Sequence, residues 1–190
     1  MIEQAVNVST TVDISMTVDG APLRARVPAR YLLSDLLREQ AGAHGVHVAC
    51  GQGMCGACTV AVNGTAVRAC LMLAVQADGT HVQTVASLGE LEGATPAGRD
   101  GLTPLQLAFR EHHALQCGFC TPGLLVSTAL FLSQHRTARD GADPGRTPAG
   151  GAEPAPASPD RAAILDHLNG HLCRCTGYAN IIAAIESVLT

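Results

Sequence analysis

The stretch Cys50-Gly51-Gln52-Gly53-Met54-Cys55-Gly56-Ala57-Cys58-Thr59 places four residues between its first two cysteines and two between the next pair, and a further cysteine follows at Cys70. This is the C-x4-C-x2-C…C spacing with which four thiolates hold a plant-type [2Fe–2S] cluster. Thiolates suit the task because they are soft, charged donors. Gly51, Gly53 and Gly56 leave the backbone free to fold round an inorganic core and to turn amide N–H groups toward its sulfur. Gly51 to Gly56 also match the G-x-G-x-x-G dinucleotide fingerprint formally. That fingerprint needs a strand before it and a helix after it, whereas Thr59-Val60-Ala61-Val62 enters a hairpin, so the match is rejected.

Working outward, Thr59 to Val62, the turn pair Asn63-Gly64 and Ala66 to Cys70 give the strongest short-range hairpin signal in the chain. A further strand is expected around Val82 to Val85. On the N-terminal side, Val12, Ile14, Met16 and Val18 alternate with polar residues, Asp19-Gly20 turns, and Leu23, Ala25 and Val27 resume. Leu32, Leu33, Leu36 and Leu37 follow helical spacing from Tyr31 to Gln40, with Gly42 placed to end the helix. The first part, residues 1–88, therefore reads as a small mixed sheet with a helix. Residues 89–190 read as helical, over about 104–114, 122–135, 159–169 and 178–189. Thr103-Pro104, Thr121-Pro122 and Ser158-Pro159 mark three of the starts, and Gly170 marks a stop. Four such helices suggest a small bundle. Residues 137–158, TARDGADPGRTPAGGAEPAPAS, lack hydrophobic periodicity and read as a flexible surface loop.

The bulk properties exclude several roles. The chain has 190 residues, 47% of them hydrophobic, enough for a buried core. Its net charge is −4, and its twelve cationic residues, all Arg, form no basic stripe for nucleic acid or a membrane surface. No apolar run approaches a membrane span, and the N-terminus lacks the charged and apolar regions of a signal peptide. The expected address is the cytoplasm. There, eight cysteines point to metal rather than to disulfides. Four fall in each half.

The second set is Cys117-Gly118-Phe119-Cys120 with Cys173-Arg174-Cys175, two close pairs, one for each iron of a second cluster. Spacing alone leaves structural Zn2+ with four sulfur ligands open. Cys120 and Cys175 precede expected helix starts, so two helix N-termini would face an anionic cluster. His112-His113 is expected at the surface, at the end of a helix. Met54 and Phe119 are expected to pack over the clusters and exclude water. Arg174, between two ligands, carries a charge that would bear on the cluster or on a partner.

Together with the first stretch, Gln116-Cys117-Gly118-Phe119-Cys120-Thr121-Pro122-Gly123 and Leu172-Cys173-Arg174-Cys175-Thr176-Gly177-Tyr178 resemble the signatures of the two-cluster iron–sulfur subunit of the xanthine oxidase family of molybdenum hydroxylases. The likeness covers nearly the whole chain. It implies an α+β protein, with an N-terminal β-grasp ferredoxin-like domain over 1–88 and a C-terminal four-helix-bundle domain over 89–190. It implies two [2Fe–2S] clusters, on Cys50, Cys55, Cys58 and Cys70 and on Cys117, Cys120, Cys173 and Cys175. Gln116 resembles the family's glutamine that hydrogen-bonds the pterin, and Cys175 the cluster ligand nearest to it. The implied role is that of an electron-transfer subunit with no catalytic residue of its own. Its implied partners are a large subunit with molybdopterin, of the cytosine dinucleotide type, and a medium FAD subunit, in a dimer of heterotrimers. The rival reading is a free-standing two-cluster ferredoxin or redox sensor. One departure is plain: 52 residues separate Cys120 from Cys173, more than is usual in the family.

Overall fold

A computed structural model describes residues 10–94, 101–139 and 158–189. Strands β1 (Thr11–Val18) and β2 (Ala21–Pro28) pair antiparallel, as do β3 (Thr59–Val62) and β4 (Thr65–Arg68). Both hairpins turn on the residues the sequence marks. Asp19 and Gly20 have φ of 49° and 79°, and Asn63 and Gly64 have φ of 48° and 75°, the paired left-handed geometry that two-residue hairpins favour. Strand β5 (His81–Gln83) runs parallel to β1 and antiparallel to β3, giving a mixed sheet in the order β2-β1-β5-β3-β4. Helix α1 (Leu33–Glu39) buries Leu33, Leu36 and Leu37 in one core cluster with Ile14, Met16, Val18 and Val60.

The helical half contains α2 (Leu88–Glu92), α3 (Pro104–Glu111), α4 (Thr121–Arg139), α5 (Arg161–Leu168) and α6 (Ala179–Ser187). With β1–β5 these make the chain α+β, as the sequence indicates. Thr103 opens α3 with a capping box: its hydroxyl accepts from Gln106 N, and the Gln106 side chain accepts from Thr103 N. Helix α5 is capped by Asp160, whose carboxylate accepts from Ala163 N at 2.8 Å. The cap expected at Ser158 is thus displaced by two residues, because an ionised side chain at the helix mouth both satisfies an orphan N–H and complements the dipole. Asn169, not Gly170, closes α5. Helix α4 continues to Arg139, so residues 137–139 are helical where a loop is expected; the remaining stretch, 140–157, lies outside the described residues.

All four residues of β3 are buried, which explains why it lacks the alternation of β1. Val60 and Val62 point into the α1 core, whereas Ala61 joins the helical cluster with Leu124, Ile164 and Ile181. The sheet is therefore covered on both faces where β3 lies, with α4 on the second. Gly123 permits that approach: a Cβ there would stand 2.5 Å from the carbonyl oxygen of Gly56 and 2.7 Å from that of Ala57.

Candidate metal centres

Between α1 and β3 the chain makes an irregular loop that carries Cys50, Cys55 and Cys58, and Cys70 follows β4 from the other side of the hairpin. Gly51, Gly53 and Gly56 all have positive φ, between 63° and 78°, so the loop can turn its N–H groups inward. The N–H groups of Gln52 and Cys55 each donate to Cys50 Sγ at 3.5 Å. The Gln52 bond, followed by that of Cys55, lowers the Cys50 thiol to about 6. Cys58 and Cys70 are buried, and burial pushes Cys58 up to about 11. Cys55 acts on the Cys50 thiol and Cys70 on that of Cys58, which also feels Cys55.

The second set is drawn from two loops. Cys117 and Cys120 lie on the connection into α4, and Cys173 and Cys175 on that between α5 and α6. Here the thiols couple across the sequence pairs. Cys175 and Cys117 stand 3.5 Å apart, sulfur to sulfur, and Cys120 interacts with Cys173. One thiol from each loop contributes to each couple, so a group bound there would staple the loops together. Cys117 and Cys175 are exposed, while burial pushes Cys120 up to about 12. Cys117 is lowered, first by the N–H of Phe119 and then by Cys175. Against the burial that pushes it up, the hydroxyl and N–H of Thr176 hold Cys173 down.

Of the two helix starts expected beside this set, Cys120 borders α4 directly, its carbonyl accepting from Leu124 N at 3.1 Å. Cys175 is held off from α6 by Thr176, Gly177 and Tyr178, the last at φ 67°. Gln116 is exposed beside Leu115 and Cys117, and Arg174 is exposed between its two cysteines. His113 is exposed at the end of α3, as expected, with φ 52°. Met54 is 67% exposed, which corrects its expected role as packing over the first loop: its side chain points to solvent. Phe119 is 44% exposed and lies flat on His47, ring centroids 4.7 Å apart, with its carbonyl oxygen 2.7 Å from His47 Nδ1.

These contacts belong to a join between the two loop systems that spacing does not reveal. Leu172 N donates to Cys55 O at 2.9 Å. Arg68 donates from one Nη to Thr59 Oγ1 and from the other to Gly170 O. His171 is buried, and a Cβ on Gly56 would stand 2.5 Å from its Nδ1. The hairpin register Thr59↔Arg68, readable from Asn63-Gly64, is the one sequence signal that could have placed Arg68 beside the first loop.

The residues fit iron–sulfur clusters on the chemistry of their donors: four cysteine sulfurs on each of two loop systems, with backbone N–H groups turned onto sulfur in the first and Cys117 and Cys175 brought sulfur to sulfur in the second. Among the described residues, no three His, Cys, Asp or Glu side chains converge as a site for a single metal ion.

Comparison with known proteins gives the same class. Residues 16–85 match the family described as a 2Fe-2S iron-sulfur cluster binding domain, and residues 90–186 match the [2Fe-2S] binding domain family. This is an iron–sulfur protein with two cluster-binding domains. It is 42% identical over 175 residues to caffeine dehydrogenase subunit gamma of Pseudomonas sp. (strain CBB1), covering 92% of this chain and 89% of that protein. Against the xanthine dehydrogenase iron-sulfur-binding subunit of Escherichia coli O157:H7 the identity is 37%, covering 95% and 96%. The structure of quinoline 2-oxidoreductase from Pseudomonas putida 86 superposes with a TM-score of 0.73 at 38% identity, covering 93% of this chain and 91% of that one. The chain belongs to the small iron–sulfur subunits of the xanthine oxidase family of molybdenum hydroxylases. Its role is that of the electron-transfer subunit of an oxidoreductase complex. No helix among the described residues is long and apolar enough to cross a membrane.

Proposed function

We propose that Cys50, Cys55, Cys58 and Cys70 bind one [2Fe–2S] cluster and Cys117, Cys120, Cys173 and Cys175 the other, each iron being taken by two of the four thiols of its set. The observation that carries this reading is the crossed coupling of Cys117 with Cys175 and of Cys120 with Cys173, which gives two sulfur donors per iron on either side. When bound, a [2Fe–2S] cluster supplies a one-electron carrier whose potential is tuned by hydrogen bonds to sulfur and by solvent exclusion. The chain contributes both: Gln52 and Cys55 present N–H groups to Cys50, and Phe119 presents one to Cys117, while Cys58, Cys70 and Cys120 are shielded.

The second set opens to the surface at Cys117 and Cys175, beside exposed Gln116, Leu115 and Phe119. An apolar rim around a polar side chain suits a standing partner better than open water. We therefore place the large molybdopterin subunit there, with Gln116 hydrogen-bonding the pterin, of the cytosine dinucleotide type, and Cys175 nearest to it. Electrons leave by the first set toward a medium FAD subunit. Domains over 1–88 and 89–190, of β-grasp and four-helix-bundle type, a dimer of heterotrimers and a cytoplasmic address complete the reading. The substrate is turned over on the large subunit.

Purified with reducible iron, the chain should hold about four iron atoms and give two paramagnetic signals on reduction. Cys175→Ser should suppress the signal of the second set and leave the first. Zinc in place of iron, or one signal only, would count against the assignment. A chain that stays monomeric beside its natural neighbours would favour the free-standing ferredoxin.

A further inference from the structure

We propose that Arg68 is the positioning residue that holds the two cluster-binding loops at a fixed separation, by clasping the sheet at Thr59 and the helical half at Gly170. The inference rests on the cluster assignment above. Arg68 is the last residue of β4 and faces Thr59 across the hairpin. One Nη donates to Thr59 Oγ1, and that hydroxyl donates onward to the carbonyl oxygen of Gly56 at 2.6 Å. Gly56 lies between Cys55 and Cys58, so the relay ends inside the first loop. The other Nη donates to Gly170 O, three residues before Cys173. A single planar group thus grips both loops, and its two donors have a fixed mutual geometry that a flexible ammonium cannot reproduce.

The surroundings are shaped to the clasp. A Cβ on Gly170 would stand 3.1 Å from Arg68 Nη2, and one on Gly56 would meet Gly170 O at 2.6 Å. The two glycine backbones approach each other here, with the side chains of His171 and Arg68 filling the space that a Cβ on either would need. Among the described residues no carboxylate pairs with Arg68, so its partners are the Thr59 hydroxyl at the start of β3 and the Gly170 carbonyl. His167, which the Arg68 charge reaches, is buried, and burial first and that charge next lower it to about 4, so it brings no second cation to the clasp at neutral pH. Electron transfer between fixed sites slows steeply as their separation grows, so a joint that sets the separation of the two loops also bears on the rate of exchange.

The test uses the full chain carrying both clusters, with Arg68→Met, Arg68→Lys and Thr59→Val. The readouts are iron content, the magnetic splitting between the two reduced centres, which reports their separation, and the rate at which they exchange an electron. Arg68→Met should keep about four irons and both signals. Its splitting should broaden and weaken, and exchange should slow several-fold. Arg68→Lys, able to reach one anchor at a time, should fall between, and Thr59→Val should move the splitting in the same direction by less. Wild-type splitting and exchange in Arg68→Met would overturn the proposal. If that variant loses iron, wild-type splitting in Thr59→Val overturns it instead. A wild-type chain without two clusters would refute the cluster assignment itself, whereas two coupled clusters indifferent to Arg68 would refute only the clasp.

Discussion

The backbone N–H of Leu172 donates to the carbonyl oxygen of Cys55 across 2.9 Å, joining a residue of one cysteine loop to the neighbour of Cys173 in the other. A single hydrogen bond, with a few covalent bonds on each side, thus connects the two cysteine sets. Leu172→Pro removes the donor and sets a ring against that oxygen. It should destabilise the chain by about 1–3 kcal/mol, the cost of leaving an acceptor unpaired at a packed join. Leu172→Ala keeps the N–H and alters only a side chain that is 61% exposed, so it should be nearly neutral. Denaturant titration of the two variants checks the pair; equal midpoints would contradict it.

Gly123, in the first turn of α4, has no room for a methyl group, because the atoms it would meet are the carbonyl oxygens of Gly56 and Ala57. Backbone cannot swing aside as a side chain can. Gly123→Ala should cost about 1–3 kcal/mol by overpacking. The displaced segment lies between Cys55 and Cys58, so iron should be lost from the first set before the second. Iron analysis with the two reduced signals followed separately would establish the order.

The elements that local chemistry dictates are legible in the sequence: both hairpins from Asp19-Gly20 and Asn63-Gly64, α1 from its leucines and α3 from Thr103-Pro104; the eight cysteines stand out there as the candidate ligands. What depends on tertiary contact is not. Helix α2 is five residues long, too short to carry a period. The crossed coupling of Cys117 with Cys175 follows from how two loops 52 residues apart in chain meet, not from the spacing within either. Met54 looks like a packing residue by type, yet among the described residues nothing covers its position in the loop. The join through Arg68, Gly170 and Leu172 unites residues about 100 positions apart, and no periodicity encodes such a meeting.

His167 stacks on Phe131 with centroids 4.4 Å apart and an angle of 18°, and its pKa is lowered to about 4 by burial and then by Arg68. A folded pKa below the unfolded value of 6.5 means that the unfolded chain binds the proton more readily. The contribution is complete above about pH 6.5 and is lost as pH falls toward 4. Its size is about 1–3 kcal/mol. His167→Phe keeps the stack without a titrating group, so its stability should vary less between pH 6.5 and 4 than that of the native chain. Parallel acid limbs in the two proteins would show that His167 does not titrate as described.

Glu92 runs the opposite way. It is buried, its Oε1 has no hydrogen-bond partner among the described residues, and Leu105 N donates to Oε2 at 3.2 Å. Burial raises its pKa above the ordinary 4.5. With the folded pKa raised, stability is greatest below 4.5 and declines as pH rises through the folded value. Glu92→Gln should therefore be the more stable protein at neutral pH, by about 1 kcal/mol or more, and the advantage should vanish in acid. Thermal melts at pH 4 and pH 7.5 decide it; an advantage that persists undiminished at pH 4 would exclude charge burial as its source.

Tyr178 sits at the neck of the last cysteine loop with φ 67°; its hydroxyl accepts from Cys173 N at 2.8 Å and donates to His171 O at 2.9 Å. Its own N–H reaches back to Thr176 Oγ1 at 3.1 Å. The segment from His171 to Tyr178 is thereby closed on itself by a phenol, with few soft coordinates left to relax. On the proposed assignment, charge arriving at Cys173 and Cys175 would find dipoles already in place and leave them where they were. Traffic through such a joint is governed by distance and driving force, and the polypeptide need not breathe for each passage.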